Sequence, residues 1–208
     1  MKNLPLLVIT IVGTLLLVVM AVMLFTKSGQ SYDLILITGD RRHSRGSATA
    51  QVVVTEFSDF QCPACSVAHQ LLAEVYQKYP DQVQVIYRHY PLSTIHPNAQ
   101  LAAQAAEAAG EMNKFWEMHD KLFTNQQSWE SLDESAFMDL LGKYAEELQI
   151  DKSVFLTKIQ SGPIKQKITN DINDGDTLGI NSTPTFFVNG QKTAAPQLLS
   201  TVESSLKK

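Results

Sequence analysis

Cysteine is nearly absent from this chain of 208 residues: there are two, Cys62 and Cys65, three positions apart. A small secreted scaffold stapled by disulfides uses more cysteines and spreads them out, so this pair is not a folding framework. Two thiols also fall two ligands short of a tetrahedral zinc site. None of the five histidines, His43, His69, His89, His96 and His119, stands at a metal-finger spacing. No metal and no cofactor is expected. Runs of like charge are missing too. The net charge of −4, with no concentrated basic stretch, argues against a nucleic-acid partner. Charged residues at 18% against 44% apolar is a globular balance rather than a disordered one. No internal repeat is visible, and the length suits one domain plus an appendage.

Charge is also absent from Leu4 to Phe25, where Thr10, Gly13 and Thr14 are the only interruptions of an apolar run. As a helix this segment reaches about 33 Å, enough to cross a hydrocarbon core of about 30 Å. A cleaved signal peptide is the alternative. Its apolar core would be shorter and would end at small residues, whereas Met23-Leu24-Phe25 is a poor cleavage site. The segment therefore predicts an uncleaved signal anchor spanning the bilayer at 4–25, behind a short cytoplasmic tail at 1–3. Lys2 favours that orientation, while Lys27, Arg41 and Arg42 oppose it. The choice of an extracytoplasmic domain rests on the dithiol, which can form disulfides only outside the cytoplasm. Residues 26–46 read as a linker. Its basic patch of Arg41, Arg42 and Arg45 reads as solvated, and Leu34-Ile35-Leu36-Ile37 as either a short edge strand or a juxtamembrane apolar patch.

From residue 47 the pattern is that of an α/β domain. Gln51 to Phe57 is a β-branched strand. A helical period follows through Ala68, Leu71, Leu72, Val75, Tyr76 and Tyr79, closed by Pro80. Val83 to Tyr90 is a second strand, which makes a parallel crossover unit. Helices are predicted over Asn98–Gly110, Lys114–Phe123, Glu134–Leu148, Lys152–Ile159 and Pro163–Leu178, an insertion covering about 95–178. Thr185 to Val188, the hairpin signal Asn189-Gly190, Gln191 to Thr193 and a helix over Ala195–Leu206 complete the order βαβ…ββα.

Cys62-Pro63-Ala64-Cys65 falls at the start of the first helix. There the Cys62 sulfur faces unpaired backbone N–H groups and the positive end of the helix dipole. Both favour thiolate, so its pKa is expected below the free value of about 8.5. Cys65 lies almost one turn on, on the same face, and Pro63 occupies a position that needs no N–H. The pair can cycle between disulfide and dithiol. Metal binding is the competing use of such a pair.

Several segments together resemble the DsbA-like thiol–disulfide oxidoreductases of the thioredoxin superfamily, in particular the membrane-anchored bacterial type. They are Glu56 to Cys65, Tyr87 to Leu92, His96 to Ala99, Phe115 to Phe123 and Ser182 to Gly190, within residues 46–208. The resemblance implies a thioredoxin-like fold with a helical insertion, here preceded by one transmembrane helix. It implies a cis bond before Pro184, an exposed nucleophile at Cys62 and a more buried resolving thiol at Cys65. Thr183 and Pro184 would bind substrate. Glu56 would be a buried acid that moves protons for the buried thiol, against the alternative of a salt-bridged strand residue. The strongly oxidising members carry histidine between the cysteines where this chain has Ala64, so a weaker oxidant is expected. The implied function is a dithiol oxidase acting on unfolded or exported protein thiols and re-oxidised by a membrane redox partner. The alternatives are a reductase or isomerase, or a non-catalytic metal-binding or chaperone module.

Overall fold

The computed structural model describes residues 10–20 and 32–207. Residues 10–20 are helical and exposed, with the Thr14 hydroxyl donating to the Thr10 carbonyl at 3.0 Å. Among the described residues no helix is long and apolar enough to cross a membrane. The tail at 1–3 and the two ends of the expected span at 4–25 lie outside the described residues.

The second compact unit runs from Tyr32 to Lys208. Its sheet has the order β1-β3-β2-β4-β5. The strands are β1 (Ser44–Arg45), β2 (Val52–Ser58), β3 (Val83–His89), β4 (Thr185–Val188) and β5 (Gln191–Thr193). β2 and β3 are parallel, in register from Val52 opposite Val83 to Ser58 opposite His89. The other pairings are antiparallel. β2 and β3 are buried on both faces, which is why their sequences are nearly continuous in β-branched and aromatic residues. Between β4 and β5, Asn189 and Gly190 take φ of +47° and +80°, the left-handed pair that a two-residue hairpin needs.

Helix α1 (Leu34–Thr38) precedes the sheet, and α2 (Pro63–Lys78) crosses from β2 to β3. The insertion holds α3 (Ala99–Gly110), α4 (Phe115–Thr124), α5 (Gln126–Trp129), α6 (Glu134–Glu147), α7 (Lys152–Ile159) and α8 (Gly162–Thr177). A 3-10 turn (Ala195–Gln197) leads into α9 (Leu198–Leu206). Alternation along β2 sends Val52 and Val54 to a core with Leu72 and Val75 of α2 and Val202 of α9. Phe57 goes to the opposite face, with Ile37, Tyr90 and Phe187. Met118, Trp129, Phe137 and Phe155 of the insertion form a third core that also takes in Phe60, Cys62, Cys65 and Tyr87. This is a thioredoxin-like α/β fold with a mixed sheet and a helical insertion.

The linker expected at 26–46 differs from the structure over its described part. Leu34 to Thr38 form a helix rather than a strand or a lipid-facing patch, because Asp33 caps it by accepting from the Ile35 N–H at 2.8 Å and Ile37 is buried. Arg42 is not solvated: it bonds Glu107 and Asp171 at 2.7 and 2.6 Å. Ser44 and Arg45 add a strand to the edge of β3. Gly46, at φ +103°, lets the chain pass close over the Val83 carbonyl, where a Cβ would clash.

Candidate active site at the start of helix α2

The chain leaves β2 through Asp59, Phe60 and Gln61 and enters α2 at Cys62. Cys62 is extended (φ −72°, ψ 122°) and caps the helix, and Pro63 occupies the first turn. The Cys62 carbonyl accepts from the N–H groups of Cys65 and Ser66 at 3.0 and 3.2 Å. The peptide bond between Thr183 and Pro184 is cis. The carbonyl of Thr183 accepts from the Cys62 thiol at 3.5 Å. The Thr183-Pro184 turn, 121 residues along the chain, is thus brought against the dithiol. Both cysteines are free thiols.

The resemblance implied an exposed Cys62. In the structure Cys62 is only 7% exposed and Cys65 is 0% exposed. The Thr183 carbonyl lying against its sulfur accounts for part of this cover, while Pro63 and Ala64 remain exposed. The two thiols are driven in opposite directions. The hydrogen bond from Cys65 pulls the Cys62 pKa down to about 5, with help from the Thr183 side chain and the N–H groups of Cys65 and Ala64. Burial pushes the Cys65 thiol up, and the neighbouring Cys62 and Glu56 add to this. One sulfur is therefore a thiolate at neutral pH and the other holds its proton.

Glu56 lies on the α2 side of β2 and is 1% exposed. The Ser58 hydroxyl donates to it at 2.8 Å, and no cation pairs with it among the described residues. Burial raises its pKa to about 8, with repulsion from Cys62 adding. It is a neutral carboxylic acid at neutral pH, not a salt-bridged strand residue.

The turn carrying Cys62 is held by residues that local patterning did not single out. Asp59 accepts from the backbone N–H groups of Gln61 and Leu92 at 2.8 and 2.9 Å and from His96 Nδ1 at 2.7 Å. Gln61 donates to the Glu130 carbonyl at 2.7 Å and accepts from the Asn98 N–H at 2.6 Å. Gln126 of α5 donates to the carbonyls of Phe60 and Cys62 at 2.7 and 3.0 Å. Asp59 and Gln61 adjoin the cysteine motif in the chain. Gln126, in the insertion, carried no signal. Beside Pro63, α2 and the α4–α5 corner enclose a cleft of about 670 Å³ lined by Val67, Gln70, Thr124 and Gln127.

The family profile described as Thioredoxin matches residues 38–208, and the chain belongs to that family. Its fold is that of the DsbA-like thiol–disulfide oxidoreductases. The oxidised BdbD of Bacillus subtilis is similar with a TM-score of 0.69 at 24% identity, over 79% of this chain and 92% of that one. The thiol–disulfide exchange protein α-DsbA2 of Wolbachia pipientis gives 0.68 at 18%, over 82% and 90%. A curated relative, the Na⁺/H⁺ antiporter NhaA 3 of Salinispora tropica, is 41% identical over 157 residues, 76% of this chain but 23% of that protein. The chain thus spans about a quarter of the length of the first curated relatives it matches.

Proposed function

We propose that this protein is a thiol–disulfide oxidoreductase that oxidises the thiols of exported proteins through Cys62 and Cys65. The observation that carries the reading is the opposed ionisation of the two sulfurs, with Cys62 pushed down to about 5 and Cys65 pushed up. In the disulfide form, a substrate thiolate attacks Cys62 Sγ. The Cys62–Cys65 bond breaks, and Cys65 leaves as a thiolate that takes a proton from Glu56. A second substrate thiolate then attacks the substrate sulfur of the mixed disulfide and releases Cys62 as a thiolate. Two electrons pass from the substrate dithiol to the protein. Thr183 and Pro184 offer backbone groups to an extended substrate segment, in the manner of strand addition.

The direction follows from the leaving group. A stable Cys62 thiolate favours the reduced protein and hence oxidation of substrate. Thiols of this class range from about 3.5 in strong oxidants to about 7 in reductants, so Cys62 at about 5 supports an oxidant of intermediate strength. Each turnover leaves the protein reduced, which calls for re-oxidation by a membrane redox partner. The uncharged run at 4–25 supports a single-pass anchor that holds the domain outside the cytoplasm, where such chemistry persists.

Cys62→Ser is expected to abolish both insulin reduction and model-peptide oxidation; unchanged rates would overturn the reading. Equilibration with glutathione then sets the direction. A potential nearer about −120 mV supports the oxidase, and one nearer about −270 mV makes it a reductase.

A further inference from the structure

Among the described residues, two groups of imidazole and carboxylate side chains converge away from the dithiol: His43, His89 and Glu107, and His69, His119 and Asp120. They differ in where the nearby arginine binds. At Glu107, Arg42 Nε takes the same oxygen, Oε1, at 2.7 Å that His43 and His89 approach at 2.8 and 3.3 Å. A cation there would lie against a guanidinium, in a fully buried setting. At Asp120 the oxygens are divided. Arg45 binds Oδ2 at 2.9 Å, leaving Oδ1 to His69 Nε2 at 3.2 Å and His119 Nδ1 at 2.8 Å.

We propose that His69, His119 and Asp120 form a binding site for a zinc-type divalent cation. The three donor atoms lie within 4.8 Å of one another. A tetrahedral ion with bonds of about 2.1 Å sets its donors about 3.4 Å apart, so the two distances to Oδ1 need open by less than about 1 Å. Two imidazoles and one carboxylate is a donor set that suits zinc and its neighbours rather than calcium or magnesium. The rings are already oriented. His69 stacks on Phe123 with centroids 5.3 Å apart, and His119 stands edge-on to Tyr87 at 5.0 Å. Arg45 plays the outer-shell part, fixing the carboxylate so that one oxygen faces the histidines. The Asp120 side chain is 41% exposed, which gives an ion access from solvent and leaves the fourth position to water.

The site would join α2 to α4, one turn beyond Cys65. His69 and His119 also line a cavity of about 30 Å³ whose wall includes Glu56. That is room for about one water. An ion at this site would sit beside the cavity that adjoins the redox centre's buried acid. Its presence does not depend on the exchange reaction.

The test uses the full chain with Cys62 and Cys65 joined as a disulfide, so that neither thiol can ligate. Titration with Zn²⁺ by calorimetry is expected to show one ion per chain, and Co²⁺ to give the visible absorption of tetrahedral coordination. Asp120→Asn and His69→Gln change partly exposed positions, and each is expected to weaken binding by about 100-fold. Circular dichroism of both variants checks that the fold is kept. No saturable binding to the oxidised chain, or equal binding by the folded variants, overturns the proposal.

Discussion

Glu56 and Glu107 are both 1% exposed, yet they meet opposite fates. Glu56 has a single hydroxyl donor, from Ser58, and burial drives its pKa up to about 8. Burial pushes Glu107 the same way, but His43 and His89 overcome it and hold its carboxyl far below the usual range. Arg42 Nε adds a bond at 2.7 Å. Next to it, Asp171 takes Arg42 at 2.6 Å, Arg88 at 2.8 Å and the His89 N–H at 3.0 Å. His43 stays neutral, its pKa pushed down to about 4 by burial, and donates to Glu107 as an uncharged ring. Burying a carboxylate is costly unless it is paired and hydrogen-bonded. One acid escapes the cost by keeping its proton. The other is surrounded by donors. The first arrangement makes a proton donor beside Cys65, and the second ties α3 and α8 to the segment before β1.

The largest expected effect comes from removing a cation in the paired region. Arg88, 2% exposed, bonds Asp171 and Asp174 and the carbonyls of Leu36 and Ile37. Arg88→Met is expected to cost about 3–5 kcal/mol in urea unfolding, since it strips a buried partner from Asp171. Loss of less than about 1 kcal/mol would show that the network is not held by paired charge. Glu107→Gln should cost about 1–3 kcal/mol at pH 7, the worth of hydrogen bonds to a charged group. Because the folded pKa of Glu107 lies below its ordinary 4.5, that cost is present above pH 4.5 and fades as the solution is acidified below it.

The same substitution at the unpaired acid should have the opposite sign. Glu56 is raised from 4.5 to about 8, so the wild-type chain loses stability between those values as the pH rises, at about 1.4 kcal/mol per pH unit. Glu56→Gln removes that slope and is expected to stabilise the protein at pH 7 by up to about 3 kcal/mol, read from urea midpoints across pH 4 to 9. It should also slow exchange, since glutamine supplies no proton to Cys65. Two glutamine variants that destabilise alike would dissolve the contrast between the two acids.

The strand and helix order was legible because it rests on local patterning. The β-branched run of β2, the 3.6-residue period of α2 and the Asn189-Gly190 turn each act over a few residues. The cysteine motif was legible for the same reason: a helix start needs only its own backbone to bias a thiol toward thiolate. Leu34 to Arg45 differ from the sequence expectation because their partners lie far along the chain. Ile37 packs with Phe57 and Phe187, Arg42 pairs with Glu107 and Asp171, and Ser44 pairs with Ile86. Short apolar and basic stretches look the same in a linker and in a docked edge.

What the sequence by itself determined is the α/β order, the helix-capping dithiol and the family to which these segments belong. Only the tertiary structure decided which charges survive. It set Thr183 against Cys62, gave Glu56 no cation, surrounded Glu107 with donors, and brought His69 within reach of Asp120. The reason is that ionisation and ligation depend on partners within a few ångströms in space, and here those partners stand 51 to 129 residues apart in the chain.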